Sequence, residues 1–173
     1  MNHFEFENFL ETHERDIYSF CRHLTMDTEL AAELYQDTVI AAFEMADRID
    51  VDNNPKAFLL AIAAGKWKNM RRKAARRQGI VPEVPLDAAY NAAGGDNPEK
   101  AAIDAQRQES IGAALAGLDE KFRVPLILHY FDDFSTQEIS RILKIPAGTV
   151  KSRLHKGRAL MKVELKKEGI SYA

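Results

Sequence analysis

Apolar residues in this chain recur every three or four positions along most of its length, and almost no segment alternates with a period of two. That spacing draws a stripe along an α-helix and leaves no half-buried strand, so the chain is predicted to be all-α. Its 173 residues suit two small helical domains joined by a flexible linker. With 46% hydrophobic and 29% charged residues, it can bury cores and is not disordered overall.

The same reading excludes several classes of function. No apolar run approaches the ~20 residues that span a bilayer. The opening MNHFEFENFLETHERD is acidic where a signal peptide is basic and then apolar. A cytoplasmic protein with no membrane insertion is expected. Cys21 is the single cysteine, which forbids an intrachain disulfide and any zinc cluster of cysteine spacing. His3, His13, His23, His129 and His155 are scattered without ligand spacing, and there is no P-loop, nucleophile elbow or Ser-His-Asp set. We expect no catalytic residues, no metal and no cofactor.

Charge is informative only once it is divided along the chain. The formal net charge is −2, yet residues 1–55 carry −10, 56–82 carry +8, 83–120 carry −6, 121–140 carry −1 and 141–173 carry +7. Two cationic blocks in an otherwise anionic chain suit two contacts with a polyanion, made by a protein whose remaining surface repels it. Solvated helix faces would account for charge of this kind taken alone.

A first helix is expected over residues 4–24, with Phe9, His13, Ile17, Phe20 and Leu24 on one stripe; His13 there reads as a partly buried structural residue. Asp27 or Thr28 caps a second helix to about residue 47 that buries Leu30, Ala31, Leu34, Ala42 and Phe43. After the break at 48–54, Asn54-Pro55 supplies an N-cap and a first-turn proline for a third helix. Its first half, AFLLAIAA, is apolar on most sides; its second half, KWKNMRRKAARR, is cationic. Trp67 reads as core rather than as a base-stacking wedge. Residues 79–100 hold Pro82, Pro85, Gly94, Gly95 and Pro98 with little periodicity, the composition of a linker, and divide a domain at 1–78 from one at 101–173. Helices are expected over 98–118, 119–131, 136–143 and 147–167, the second of them starting late or kinking at Pro125.

DFSTQEISRILKIPAGTVKSRLHKGR spells a helix-turn-helix. Ser135 and Glu138 form an S-x-x-E capping box, worth on the order of 1 kcal/mol, before a short helix with Ile139, Ile142 and Leu143 inward. Lys144-Ile145-Pro146 forces the turn. Val150, Leu154, Gly157 and Met161 then make the buried stripe of the second helix. The opposite face presents Thr149, Ser152, His155, Lys156 and Ala159, small and polar enough for a major groove. Lys151, Arg153 and Arg158 flank it, within reach of phosphates.

The chain as a whole resembles a bacterial RNA polymerase sigma factor of the extracytoplasmic-function (ECF) class within the sigma-70 family. LDEKFRVPLILHYFDDFSTQEISRILKIPAGTVKSRLHKGRALMKVEL is similar to that family's C-terminal promoter-binding domain, and TVKSRLHKGR is its most specific string. ELYQDTVIAAFEMADRI with KAFLLAIAAGKWKNMRRKAARR is similar to its N-terminal domain. The resemblance implies that Glu33, Gln36 and Asp37 dock on the clamp coiled-coil of the largest polymerase subunit. Positions i, i+3 and i+4 share one helical face, in agreement with that role. It implies that the loop holding Arg48, Asn53 and Asn54 captures an unstacked base of the minus-ten element, Asn54 being equally explained as an N-cap. Lys66, Lys68, Arg71, Arg72, Arg76 and Arg77 would then hold the opened strand's backbone. Gly65 and Asn69 depart from the asparagine and aspartate common in the family. Thr149, Lys151, Ser152, Arg153, His155, Lys156 and Arg158 would engage the minus-thirty-five element. Implied partners are core RNA polymerase and promoter DNA, with an anti-sigma factor as a further candidate.

Two other functions fit parts of the pattern. A helix-turn-helix repressor or activator would bind free duplex unaided, which the −10 and −6 segments disfavour. A helical module binding acidic proteins would keep its partner after nuclease treatment.

Overall fold

In a computed structural model of the chain, residues 3–79 and 98–170 are described. They form seven α-helices and no strand: α1 (His3–Thr25), α2 (Thr28–Glu44), α3 (Pro55–Gln78), α4 (Pro98–Ala116), α5 (Glu120–Tyr130), α6 (Thr136–Leu143) and α7 (Ala147–Lys167). A 3₁₀ turn, Ala46–Arg48, follows α2. The all-α expectation holds among these residues.

Local chemistry sets the helix ends. The Asp27 carboxylate accepts from the Leu30 N–H at 2.8 Å, so Asp27 is the cap of α2. Asn54, left-handed at φ 53°, accepts from the Ala57 N–H at 3.1 Å and is followed by Pro55 at the first turn of α3. At the other end of α3, Gly79 takes φ 61° and its N–H donates to the Ala75 carbonyl. The expected linker thus gives up its first residue as a cap and its last three to α4, which starts at Pro98; residues 80–97 lie outside the described residues.

Helices α1, α2 and α3 pack together, as do α5, α6 and α7 with α4 laid on α7; α3 also meets α6, and α1 meets α5. Ile17, Phe20, Leu24, Leu34, Leu59, Leu60, Ile127, Leu128, Ile139 and Val150 are fully buried, in one cluster that runs through both halves. Trp67 is buried within it, as expected for core packing.

Three expectations need correction. Phe43 is 48% exposed, because the buried stripe of α2 runs through Ala31, Leu34, Thr38, Ala41 and Ala42 and leaves Phe43 at its edge, ring to ring with Phe6. Leu30 is only half-buried. Helix α5 does not start late: it runs from Glu120 through Pro125, which lies five residues after the first helical position, so one intrahelical hydrogen bond is lost.

Candidate nucleic-acid interface

The helix-turn-helix is fixed by its own side chains. Ser135 Oγ accepts from the Glu138 N–H at 3.3 Å, and Glu138 Oε2 accepts in return from the Ser135 N–H at 2.9 Å and hydroxyl at 2.8 Å. This is the capping box that the sequence spells. Those hydrogen bonds hold the Glu138 carboxyl below the usual range. Lys144 closes α6 in the left-handed region at φ 53°. The Ser140 hydroxyl then donates to the Ile145 carbonyl at 2.6 Å, pinning the turn into α7.

Val150, Leu154 and Gly157 are buried, Met161 is half-buried, and Ser152, His155, Lys156 and Ala159 are exposed opposite them. Thr149 is half-buried, and its carbonyl accepts from the Ser152 hydroxyl. Lys151 and Arg158 are exposed, Arg153 half-buried. Two cations lean away from the groove-facing side. The Lys156 ammonium lies 5.5 Å from the centre of the Phe122 ring, and Arg158 Nη1 sits 3.5 Å from the Tyr130 hydroxyl. Gly157 marks where α7 crosses α5: a Cβ there would meet Leu126 Cδ1 at 3.1 Å.

The basic end of α3 presents two stripes at helical spacing. Lys68, Arg72 and Arg76 form one, and Lys66, Lys73 and Arg77 the other; all are exposed except the half-buried Lys66. Lys73 belongs to this surface although sequence reasoning missed it, and its i+7 spacing from Lys66 was the available signal. Arg71 points elsewhere: its Nε lies 3.3 Å from Glu120 Oε2, with the guanidinium 5.8 Å from the Trp67 ring.

Before α3, Arg48, Asn53 and Asn54 are exposed, and the loop is held by the Asp52 N–H donating to Asp50 Oδ1 and the Asn53 N–H to the Asp50 carbonyl. The Asn54 side-chain amide is already engaged, its Nδ2 donating to Glu138 Oε1 at 2.7 Å.

On α2, Glu33 and Gln36 are exposed and Asp37 half-buried, on a common face. Ile40, one turn beyond Gln36, is 57% exposed, and Phe43 continues the line. Sequence reasoning missed both, because an apolar residue in a helix is ordinarily assigned to the core. Carboxylates ringing an apolar strip suit a protein partner, since the strip supplies burial and the charges orientation.

Among the described residues, no group of three or more His, Cys, Asp or Glu side chains could hold a metal ion, and no helix is long and apolar enough to cross a membrane. Cys21 is buried, and burial pushes its thiol up to about 12.

A helix-turn-helix with a polar groove face, a second cationic helix and a separate acidic-apolar face define a multi-contact DNA-binding protein that also docks on another protein. The family model for Sigma-70 region 2 matches residues 9–77 and that for Sigma-70 region 4 matches residues 108–161. The chain belongs to the sigma-70 family and is an ECF-class RNA polymerase sigma factor. It is 27% identical to the ECF RNA polymerase sigma factor SigW of Bacillus subtilis (strain 168) over 172 residues, covering 93% of this chain and 89% of that relative. To SigL of Mycobacterium tuberculosis (strain H37Rv) it is 27% identical over 165 residues, covering 93% and 89%. Its fold is shared with the sigma factor RpoE solved with the anti-sigma factor NepR from Bartonella quintana (TM-score 0.76, 24% identity, 94% of this chain and 97% of that one). It is shared also with CnrH, solved with the cytosolic domain of CnrY (TM-score 0.65, 20% identity, 96% and 90%).

Proposed function

We propose that this sigma factor, which directs core RNA polymerase to promoters, divides its work among three surfaces. The α2 face of Glu33, Gln36 and Asp37, with Ile40 at its centre, docks on the polymerase. The 48–54 loop and the cationic end of α3 take the opened minus-ten strand, Asn53 meeting a base edge and Lys66, Lys68, Arg72, Arg76 and Arg77 the phosphates. Helix α7 enters the major groove at the minus-thirty-five element with Ser152 and His155 foremost. Residues 1–78 and 101–173 act as the two promoter-binding domains, and the chain works in the cytoplasm without catalysing a reaction of its own.

The observation that carries this reading is the coexistence of two cationic helices with an acidic-apolar face on α2 at which Ile40 stays 57% exposed. A repressor needs the first feature and has no use for the third. The test is reconstitution: purified protein added to core RNA polymerase should produce initiation at specific sites in a randomised promoter library, while the protein alone binds duplex DNA weakly at physiological salt. Nanomolar, sequence-specific binding by the free protein would favour the repressor instead.

A further inference from the structure

Helices α4, α5 and α7 line a cavity of about 420 Å³, away from both the α2 face and the cationic end of α3. Its floor is apolar: Leu115, Leu126 and Leu165 are buried, with Ile111 and Met161 half-buried around them. A volume of this size falls within the range of small-molecule sites, roughly 300–1,000 Å³. The rim is cationic. Arg158 and Lys162, one turn apart on α7, are exposed and line it, and Arg158 Nη1 sits 3.5 Å from the hydroxyl of Tyr130, a third rim residue. No acidic side chain lines the cavity, and among the described residues neither cation has an ion-pair partner. An apolar floor with two unneutralised cations at its mouth matches a ligand that has an apolar body and one anionic end.

We infer that this cavity binds a small single-chain carboxylate, its chain laid on Leu115, Leu126 and Leu165 and its carboxylate held between Arg158 and Lys162. The guanidinium offers a planar fork for two carboxylate oxygens, Lys162 adds a point charge, and the Tyr130 hydroxyl can donate to the same head. Burial of the chain supplies affinity, and the cations fix its direction. A second copy of the protein fits less well, because a twofold contact through this face would bring two cationic rims together. Arg158 is also the residue of α7 placed for a phosphate of the minus-thirty-five element, so a carboxylate seated on it competes with DNA for one guanidinium. That consequence rests on the reading of α7 as the minus-thirty-five helix, whereas the cavity and its ligand do not.

The test is calorimetric titration of the full chain with decanoate. One molecule should bind per chain, with a dissociation constant of roughly 10–100 μM. Octanoate, two methylenes shorter, should bind about tenfold more weakly. Lys162→Glu should weaken decanoate about tenfold and leave the uncharged decanol unchanged. Lys166→Glu makes the same charge change one turn further along α7, at an exposed position outside the cavity, and should leave both affinities near the wild-type values. Ile111→Trp fills the floor and should weaken decanoate and decanol alike; if it does not fold, the comparison of the two lysine variants decides alone. No binding at 1 mM decanoate, several molecules bound per chain, equal loss in Lys162→Glu and Lys166→Glu, or a dimer in sedimentation that takes up no decanoate would overturn the site. With the chain bound to core RNA polymerase, saturating decanoate should lower initiation at promoters that need the minus-thirty-five element, and Lys162→Glu should resist it. Binding without that effect would overturn the competition for Arg158. Initiation without ligand is scored separately, so the site can fail while the sigma-factor reading stands.

Discussion

The side-chain amide of Asn54 donates to Glu138 across 84 positions of chain, joining the N-cap of α3 to the capping box of α6. Glu138 therefore carries two loads, and its substitutions should separate them. Glu138→Ala removes the capping-box acceptor and the cross-chain bond together, at about 1–2 kcal/mol. Glu138→Gln keeps a single acceptor oxygen, which can serve Ser135 while its NH2 group is left facing the Asn54 amide, so it should lose less than Glu138→Ala without matching the wild-type protein. Urea unfolding of the three proteins measures this, and equal losses would mean that charge rather than hydrogen bonding matters there.

Burial pushes the Asp132 carboxyl from its usual 3.8 up to about 6, although Lys56 pulls it back. A carboxyl whose pKa is raised on folding holds its proton more tightly in the folded chain, so stability falls as pH rises through roughly 4 to 6. A displacement of that size destabilises the folded chain by about 3 kcal/mol at neutral pH. Asp132→Asn should therefore be more stable than the wild-type protein at pH 7.5, with Lys56 still facing Asp16. The advantage should shrink steadily toward pH 4. His23, held below its usual value by burial, loses stability in the opposite sense as pH falls, but it is present in both proteins and cancels in the difference. A difference that grows on acidification would contradict the assignment.

On α2, Asp37→Lys, alone or with Gln36→Ala, should weaken binding to core polymerase, since a reversed charge at an interface costs up to several kcal/mol. Ile40→Asp should do the same by losing burial. Because Ile40 is 57% exposed in the free chain, its substitution should cost under about 0.5 kcal/mol of fold stability. Polymerase affinity and melting temperature measured side by side decide it. Unchanged affinity in both variants would remove this face from the interface.

Elements set by neighbours within one turn were legible in the sequence. Ser135 with Glu138 announced α6, Asn54-Pro55 announced α3, and the Val150, Leu154, Gly157 stripe fixed which side of α7 faces inward. Phe43 was misread because composition cannot separate a core residue from one a single position past the edge of the buried stripe. The contacts of Asn54, Lys56 and Arg71 had no local signature at all. Each needs an acid from a distant helix, and the docking of two halves through polar side chains leaves no periodicity behind. Hence the candidate DNA-binding groups could be named from sequence, whereas the fact that Asn54 and Arg71 are occupied could not.

Two glycines should respond in opposite ways. Gly65 is an exposed helix-interior residue whose added Cβ would meet nothing within 4 Å, so Gly65→Ala should stabilise the chain by about 0.8–1 kcal/mol. Gly157 is buried against Leu126 and the Phe122 carbonyl, and Gly157→Val should cost about 2–3 kcal/mol by forcing α7 off α5. Denaturant midpoints test both. A neutral Gly157→Val would show that α7 has room to shift on α5.

Helix α7 should divide into readers of sequence and anchors. Ser152 and His155 are exposed directly opposite buried Val150 and Leu154, which aims them at base edges once the helix enters a groove. Lys156 rests its ammonium over Phe122 and must swing outward to join them, so its contact has to repay the 5.5 Å cation–ring interaction it leaves. Arg158, beside the Tyr130 hydroxyl at the flank, is placed for phosphate. Replacing Ser152 or Lys156 should therefore change which minus-thirty-five sequence is preferred, by roughly 1–3 kcal/mol where a good base contact is lost. Arg158→Ala should weaken all sequences about equally and lower the salt dependence by about one phosphate's worth. Transcription over a randomised upstream element at several salt concentrations separates the two. If Arg158→Ala shifts the preferred sequence while the Ser152 and Lys156 variants lose affinity uniformly, α7 enters the groove rotated toward its Arg158 flank, and Lys151 becomes the next residue to test as a reader.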